Sequence, residues 1–330
     1  MRRREFITLL GGAATWPLDA RAQPSDRTRH IGALMPFKEQ DARGHEIVAA
    51  LQQGLTDRGW TEGRNLEMKF RWIGDDIERR SAYAAEIVAD SPDVIFACYA
   101  AQLATLARET STIPIVFVGV SDPIGSGYVA SFPRPGGNIT GFTLFESSMA
   151  GKWLELLKTM APSVRTVALM VNPETAVLRG TFYLEDFKTA AAKLSVEPRT
   201  ANVRNAGEIE AAIAELSQET DAGLIVAPET FTDVHREFIV TLAGRHRVPA
   251  IYGAGQFTSI GGLISYRPNI TDTSRRAASY LDRILRGETP AELPIQAPTK
   301  FDLTVNITTA KTLGITVPDT ILARADEVIE

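Results

Sequence analysis

Apolar and polar positions alternate along this chain with two periods, and the switches between them outline a series of strands and helices. His30-Ile31-Gly32-Ala33-Leu34-Met35 is a mostly apolar run stopped by Pro36, which predicts a buried strand. Over residues 42–58, Ile47, Val48, Leu51 and Leu55 fall on one helical stripe, closed by Gly59 in a left-handed cap with Trp60 as its apolar companion. Leu66, Met68, Phe70 and Trp72 then alternate with Glu67, Lys69 and Arg71, the pattern of a strand with one exposed face. Asp76 is placed to cap a helix carrying Ile77, Ala84, Ile87 and Val88; strand 93–97, helix 101–110 and strand 113–118 follow. Residues 119–141, rich in Gly, Pro, Ser and Asn, interrupt the pattern and predict irregular structure. The alternation restarts with a helix at 147–160, strand 164–171, helix 178–194, strand 196–203, helix 207–218, strand 222–227, helix 231–246 and strand 248–252. A strand at 262–266, a helix at 271–287 and a strand at 300–306 complete it.

Strands alternating with helices imply parallel sheets covered by helices. Some 300 residues exceed what one hydrophobic core comfortably serves, so two lobes are expected. The halves on either side of residues 119–141 resemble each other in order and element length. The trailing elements are best accommodated if the chain crosses between lobes more than once, which creates a central cleft and a hinge. The expected division is a first lobe of residues 24–140 plus about 255–300 and a second of 141–254 plus about 301–330.

The first 22 residues add a destination. Met1-Arg2-Arg3-Arg4-Glu5-Phe6-Ile7 precedes a short apolar stretch ending near Trp16, and Ala20-Arg21-Ala22 supplies the small residues a signal peptidase reads. The stretch is shorter than the roughly 20 residues a membrane-crossing helix needs, so it is read as a cleaved export signal. The paired arginines favour the twin-arginine route, although a general secretory signal with extra arginines looks the same. Cys is absent near the cleavage site, so no thiol is offered to a lipid anchor. A periplasmic location without stable membrane insertion is expected.

The formal net charge is −5, and removing Arg2, Arg3, Arg4 and Arg21 with Glu5 and Asp19 makes it more negative. Without basic runs, nucleic acid is not expected as a partner. There is no Gly-x-Gly-x-x-Gly after the first strand and no Gly-x-x-x-x-Gly-Lys-[Ser/Thr] loop, so no dinucleotide or triphosphate cofactor is expected. His30, His45, His235 and His246 lack helical zinc-site spacing, and no metal is expected. The single cysteine, Cys98, ends a strand just before a helix, where a nucleophile elbow would sit. Its flanks, Ala97 and Tyr99, suit a packed thiol better than a sharp elbow. A periplasmic enzyme using Cys98 therefore stands as the alternative to a binding protein, and the expectation is no catalytic residue.

Open α/β sheets bind ligands beyond the carboxyl ends of their strands. In the first half those positions hold Phe37, Tyr99, Ala100, Ala101, Gln102, Ser121 and Asp122; in the second, Asn172, Glu229 and Tyr252. Amides at residues 100–102 suit a carboxylate, Glu229 or Asp122 suits an ammonium, and the rings suit an apolar or planar body. The competing reading is that these are ordinary turn residues, as Ser121-Asp122-Pro123 and Asn172-Pro173 would be.

Several segments carry a resemblance to a known family. They are Gly54-Leu55-x-Asp57-x-Gly59-Trp60-x-Glu62-Gly63-x-Asn65-Leu66, Thr112–Phe117, Ser121-Asp122-Pro123, Arg134–Gly141, Gly261–Tyr266, Pro298–Asn306 and Leu322–Ile329. Together they resemble the solute-binding proteins of ABC transporters with the type I periplasmic-binding-protein fold, in the branch that includes tryptophan- and tyrosine-binding members. The resemblance implies two similar three-layer α/β lobes with parallel-type sheets, joined by several hinge crossovers. It also implies a monomer that captures a small organic ligand, an aromatic amino acid or related carboxylate, and passes it to an ABC permease with its ATPase subunit. A sensory partner that presents its closed form to a receptor is a further alternative. Where the family commonly has Gly-Thr-Pro-Ala-Ala, this chain has Cys98-Tyr99-Ala100-Ala101, so the small hydroxyl that often faces the ligand carboxylate is replaced by Tyr99.

Overall fold

The computed structural model describes residues 27–74 and 78–330. The expected export segment, and Asp76 and Ile77 at the head of the second helix, lie outside the described residues. The chain runs β1 (Arg29–Met35), α1 (Ala42–Thr56), β2 (Leu66–Trp72), α2 (Arg79–Ala89), β3 (Val94–Cys98), α3 (Ala100–Glu109), β4 (Ile115–Val118) and β5 (Ile139–Phe142). It continues with α4 (Met149–Met160), β6 (Thr166–Val171), α5 (Leu184–Leu194), β7 (Glu197–Asn202), α6 (Ala206–Leu216), β8 (Ala222–Val226), α7 (Thr230–Val234), α8 (Arg236–Arg245) and β9 (Ala250–Tyr252). The last elements are α9 (Gln256–Ser259), β10 (Ile264–Pro268), α10 (Ile270–Leu285), β11 (Phe301–Asn306), α11 (Ile307–Leu313), α12 (Asp319–Leu322) and β12 (Glu327–Ile329).

Two sheets result, with strand orders β2-β1-β3-β4-β5 and β12-β11-β10-β9-β8-β6-β7. Reading the second from β7 to β10 repeats the order of the first, which is the internal similarity expected from the sequence. All pairings are parallel except β10 with β11. Each sheet is covered on both faces. Apolar residues of α1 and α10 close one side of the first sheet, and those of α2 and α3 the other. In the second lobe α4 and α5 lie on one side, and α6 and α8 on the other.

The cap of α1 forms as expected: Gly59 has φ +89, its N–H bonds Thr56 O at 2.9 Å, and Trp60 N–H reaches Leu55 O at 3.1 Å. Three expectations need correction. Residues 119–141 are not wholly irregular, because Ile139–Phe142 pairs with β4 as the fifth strand of the first sheet. The helix expected over 178–194 begins only at Leu184, since Leu178 and Arg179 take left-handed conformations in a short 3₁₀ turn. The helix expected over 231–246 is two helices, separated at His235.

The chain passes between the sheets three times, after β5, after β10 and before β11. The sheet pairing places residues 264–268 in the second sheet, and α9 carries Phe257 into the core of that lobe. The return to the first sheet thus begins at α10, some fifteen residues later than the expected position near 255. The crossings are hydrogen-bonded to one another. Gln296 N–H donates to Gly141 O at 3.0 Å, Thr143 N–H to Gln296 O at 2.9 Å, and Asn269 N–H to Lys300 O at 3.0 Å.

α10 returns to the first lobe by packing closely on α1. A Cβ added at Gly54 would lie 2.6 Å from Arg275 O and 2.7 Å from Ala278 Cβ, so the two helices touch through the glycine. Trp60 Nε1–H donates to Asp282 at 2.8 Å and locks the same pair further along. Gly54→Ala would gain about 1 kcal/mol in helix propensity, but overpacking against a backbone carbonyl costs about 1–3 kcal/mol. The expected outcome is a lower urea midpoint with an unchanged slope; an increase in stability would show that α10 can move away from α1 freely.

Candidate ligand-binding cleft between the lobes

The carboxyl ends of β1, β3 and β4 and those of β8 and β9 face each other across a cleft of ≈ 590 Å³. That size is ordinary for a small-molecule site. Of the residues expected at the site, Tyr99, Ala100, Ala101, Gln102, Ser121 and Glu229 line this cleft. Phe37, Asp122, Asn172 and Tyr252 do not line it, each for a local reason. Phe37 packs edge-on to Tyr99, with ring centroids 6.0 Å apart, instead of facing the cleft lining. Asp122 turns back to accept from Gly125 N–H at 2.8 Å. Asn172 is 3% exposed and its Oδ1 accepts from Glu174 N–H at 2.8 Å, closing a turn. Tyr252 is fully buried, stacked on Phe257 at 4.6 Å, and supports the floor of the second lobe.

The first lobe contributes the start of α3. No side chain caps this helix, and Ala100 and Ala101 are exposed to the cleft, so the amides of its first turn are available to an anion. Gln102 is 3% exposed and its Oε1 has no hydrogen-bond partner. Tyr99 precedes it with φ +71 and ψ 165, a region that L-residues other than Gly rarely occupy. Its ring lies against Gly119 (φ +82), where a Cβ would come within 2.3 Å of Tyr99 Cδ1. The ring is partly exposed, yet its hydroxyl is shielded and without a partner. Burial pushes that hydroxyl up to about 12, with the nearby Arg43 and Arg267 guanidinium groups acting in the opposite direction.

The second lobe contributes Glu229, Asp233 and Arg267. Glu229 accepts from Asn172 N–H at 2.5 Å and from Thr175 Oγ1 at 2.7 Å, so both of its oxygens are already engaged within the lobe. Burial raises its pKa, and those two hydrogen bonds oppose the rise. Asp233 Oδ1 and Arg267 Nε are buried and unpartnered. Phe145, on the crossing after β5, packs against cores of both lobes and lines the cleft between them.

Reading the strand ends missed four charged residues of this wall: Arg43, Arg80, Asp233 and Arg267. Each sits inside an element rather than in a loop, so their signal was a charge at the carboxyl-edge end of a helix or strand. Among the described residues, six buried side-chain polar atoms lack a partner, and five of them belong to cleft residues: Arg80, Tyr99, Gln102, Asp233 and Arg267. Buried polar groups are normally satisfied, so their concentration in one cavity marks a place built to receive polar groups of a ligand.

Cys98 is fully buried in β3, and burial raises its thiol to about 12. Such a thiol stays protonated at neutral pH and does not reach the cleft, the opposite of an activated nucleophile. Among the described residues no group of three or more His, Cys, Asp or Glu side chains is arranged to hold a metal ion. No described helix is long and apolar enough to cross a membrane.

The cost of Tyr99 is open to measurement. An unpartnered buried hydroxyl costs about 1–3 kcal/mol, so Tyr99→Phe is expected to raise the unfolding free energy of the ligand-free protein in urea by about 1 kcal/mol. A comparable loss instead would mean that the hydroxyl is satisfied within the protein.

A tyrosine-binding protein of Clostridioides difficile (strain R20291) is 24% identical over 263 residues, covering 80% of this chain and 75% of that protein. An ABC domain from Streptococcus pneumonia, solved in complex with L-Trp, superposes with a TM-score of 0.77 at 23% identity, covering 92% of this chain and all of that one. The ligand-free, open structure of a substrate binding protein with adhesive properties from Clostridium difficile gives 0.78 at 23% identity, over 92% and 99% of the two chains. These likenesses place the fold with the type I periplasmic binding proteins. The family model for ABC transporter substrate binding protein matches residues 33–329, and the chain belongs to that family.

Proposed function

We propose that this chain is the solute-binding component of an ABC importer in the periplasm, exported by the signal at its N-terminus. It captures a small organic ligand between its lobes, an aromatic amino acid or a related carboxylate, and delivers it to a permease driven by an ATPase subunit. The observation that carries this reading is the set of five unsatisfied polar residues lining one interlobe cleft, Arg80, Tyr99, Gln102, Asp233 and Arg267. A ligand that satisfies groups on both lobes stabilises the arrangement in which both reach it. Ligand capture and lobe closure are thereby one equilibrium. No bond is made or broken in this process, in keeping with a cleft that the buried Cys98 thiol does not line.

The proposed ligand positions follow from the cleft's chemistry. A carboxylate is received by the amides of Ala100, Ala101 and Gln102, with Ser121 beside them. A ligand N–H or O–H donor is received by Gln102 Oε1 and Asp233. Glu229 holds the second-lobe wall in shape through Asn172 and Thr175. Leu144 and Phe145 supply apolar contact near the crossings.

Mass action supplies the test. A ligand at one hundred times its Kd stabilises the native state by about 2.7 kcal/mol. Protein lacking residues 1–22 should therefore melt several degrees higher with L-tyrosine, L-tryptophan or related aromatic acids, and its radius of gyration by X-ray scattering should fall with the same ligand. A panel of amino acids and organic acids that produces neither response would remove the solute-capture reading.

A further inference from the structure

Arg267 lines the cleft, and its Nε is buried without a partner. Two neighbours fix where that group sits. Gly255 makes room on one side, since a Cβ there would come within 2.4 Å of Arg267 Nε and 2.9 Å of its Cζ. On the other side a terminal nitrogen of Arg267 lies 3.6 Å from Asp302, directly across the antiparallel β10–β11 pair. Asp302 does not line the cleft. It lines the adjoining groove with Asp41, Arg43 and Glu46 from around the start of α1, and its side chain is only 16% exposed.

The second oxygen of Asp302 accepts from Asn269 Nδ2 at 2.8 Å. Asn269 is where the chain leaves the second sheet for α10, and each of its polar groups is engaged. Its N–H donates to Lys300 O at 3.0 Å, in the neighbouring crossing. Its main-chain O accepts from Thr273 Oγ1 at 3.0 Å, and its Oδ1 accepts from Asp272 N–H at 2.7 Å, capping α10. Only one orientation of the side-chain amide serves both Asp302 and the helix end, so the carboxylate helps to fix the cap. Polar contacts thus run from the cleft through Arg267, Asp302 and Asn269 to the first turn of α10, the helix that helps close the first sheet. One carboxylate serves both ends of that path. If Arg267 turns to engage a ligand, it either draws Asp302 with it or parts from it, and each event is felt at Asn269.

We infer that Asp302 is a positioning residue for ligand capture: it holds Arg267 ready for an acceptor group of the ligand and couples that contact to the hinge at Asn269. This rests on the reading that the cleft takes the ligand. A carboxylate outside the cleft then governs affinity through a residue inside it, and ligand engagement of Arg267 reaches the helix on which the first lobe is completed.

Amide hydrogen exchange of the ligand-free protein lacking residues 1–22 tests the coupling without any ligand. Arg267→Met, a change inside the cleft, should speed exchange of the Asp272 amide by about threefold or more, as should Asp302→Ala, while amides of α8 keep their rates. Where Asp302→Ala does not fold, Arg267→Met decides alone. An Asp272 amide indifferent to Arg267→Met would overturn the inference. Calorimetric titration with L-tyrosine and L-tryptophan is the second arm. Arg267→Met and Asp302→Asn should each weaken binding by about tenfold. The double variant should be no more than about twofold weaker than Arg267→Met alone, because Asp302 acts through that arginine. Fully multiplicative losses, or an Asp302→Asn protein that binds as tightly as the parent, would also overturn it. If neither amino acid binds the parent protein, the aromatic-ligand reading falls instead, and the exchange result still decides whether Asp302 couples Arg267 to the hinge.

Discussion

Parallel strand pairing is the constraint from which the rest of this molecule follows. In a parallel sheet every strand ends on the same edge, so the loops leaving β1, β3 and β4 collect on one side without any further instruction. The second sheet repeats that strand order, and the three crossings set its carboxyl edge opposite the first. Residues remote in sequence, such as Tyr99 and Asp233, thereby share a cavity. Helices add their own contribution at the same edge, because a crossover helix begins where its strand ends and points its unbonded amides there.

The thermodynamic character of the molecule is uneven in a way that matches this layout. The sheets are sealed by four apolar layers, and most buried polar side chains outside the cleft are satisfied, as with Trp153 Nε1–H on Tyr266 O at 2.8 Å and Thr140 Oγ1 on Leu293 O at 2.6 Å. Local conformational cost and unmet hydrogen-bonding capacity accumulate at the cleft instead. Tyr99 combines a left-handed backbone with an unpartnered hydroxyl, each worth about 1–3 kcal/mol. Since native stability is typically only about 5–15 kcal/mol, such features persist where they serve something other than folding.

Much of the architecture was legible in the chain because its elements are long and strongly periodic. The runs in β1, β2, β3 and β6 and the stripes of α1, α4, α6 and α10 each found their expected type within a few residues. What escaped depended on tertiary context. Ile139–Phe142 is a four-residue strand containing Gly141 and following Pro135-Gly136-Gly137, and only its pairing with β4 makes it a strand. The left-handed pair Leu178-Arg179 and the break at His235 have no mark in the apolar period. At the cleft, looking just past the strand ends found Tyr99, the α3 amides, Ser121 and Glu229. It missed Arg43, Arg80, Asp233 and Arg267, which reach the cavity from within helices or a strand, and it placed Tyr252 at a surface that packing has covered.

The late return of α10 to the first sheet has a consequence for how the chain matures. Ala277, Ala278 and Leu281 are wholly buried against α1 and the first sheet, although about 125 residues of the second lobe separate them from β5. A nascent polypeptide emerging from the ribosome therefore cannot complete its first lobe when that segment has been made; an apolar face stays bare until nearly the whole molecule is synthesised. Vectorial, lobe-by-lobe folding is closed to it. Any attempt to express the first lobe alone would have to splice α10 onto a shortened chain.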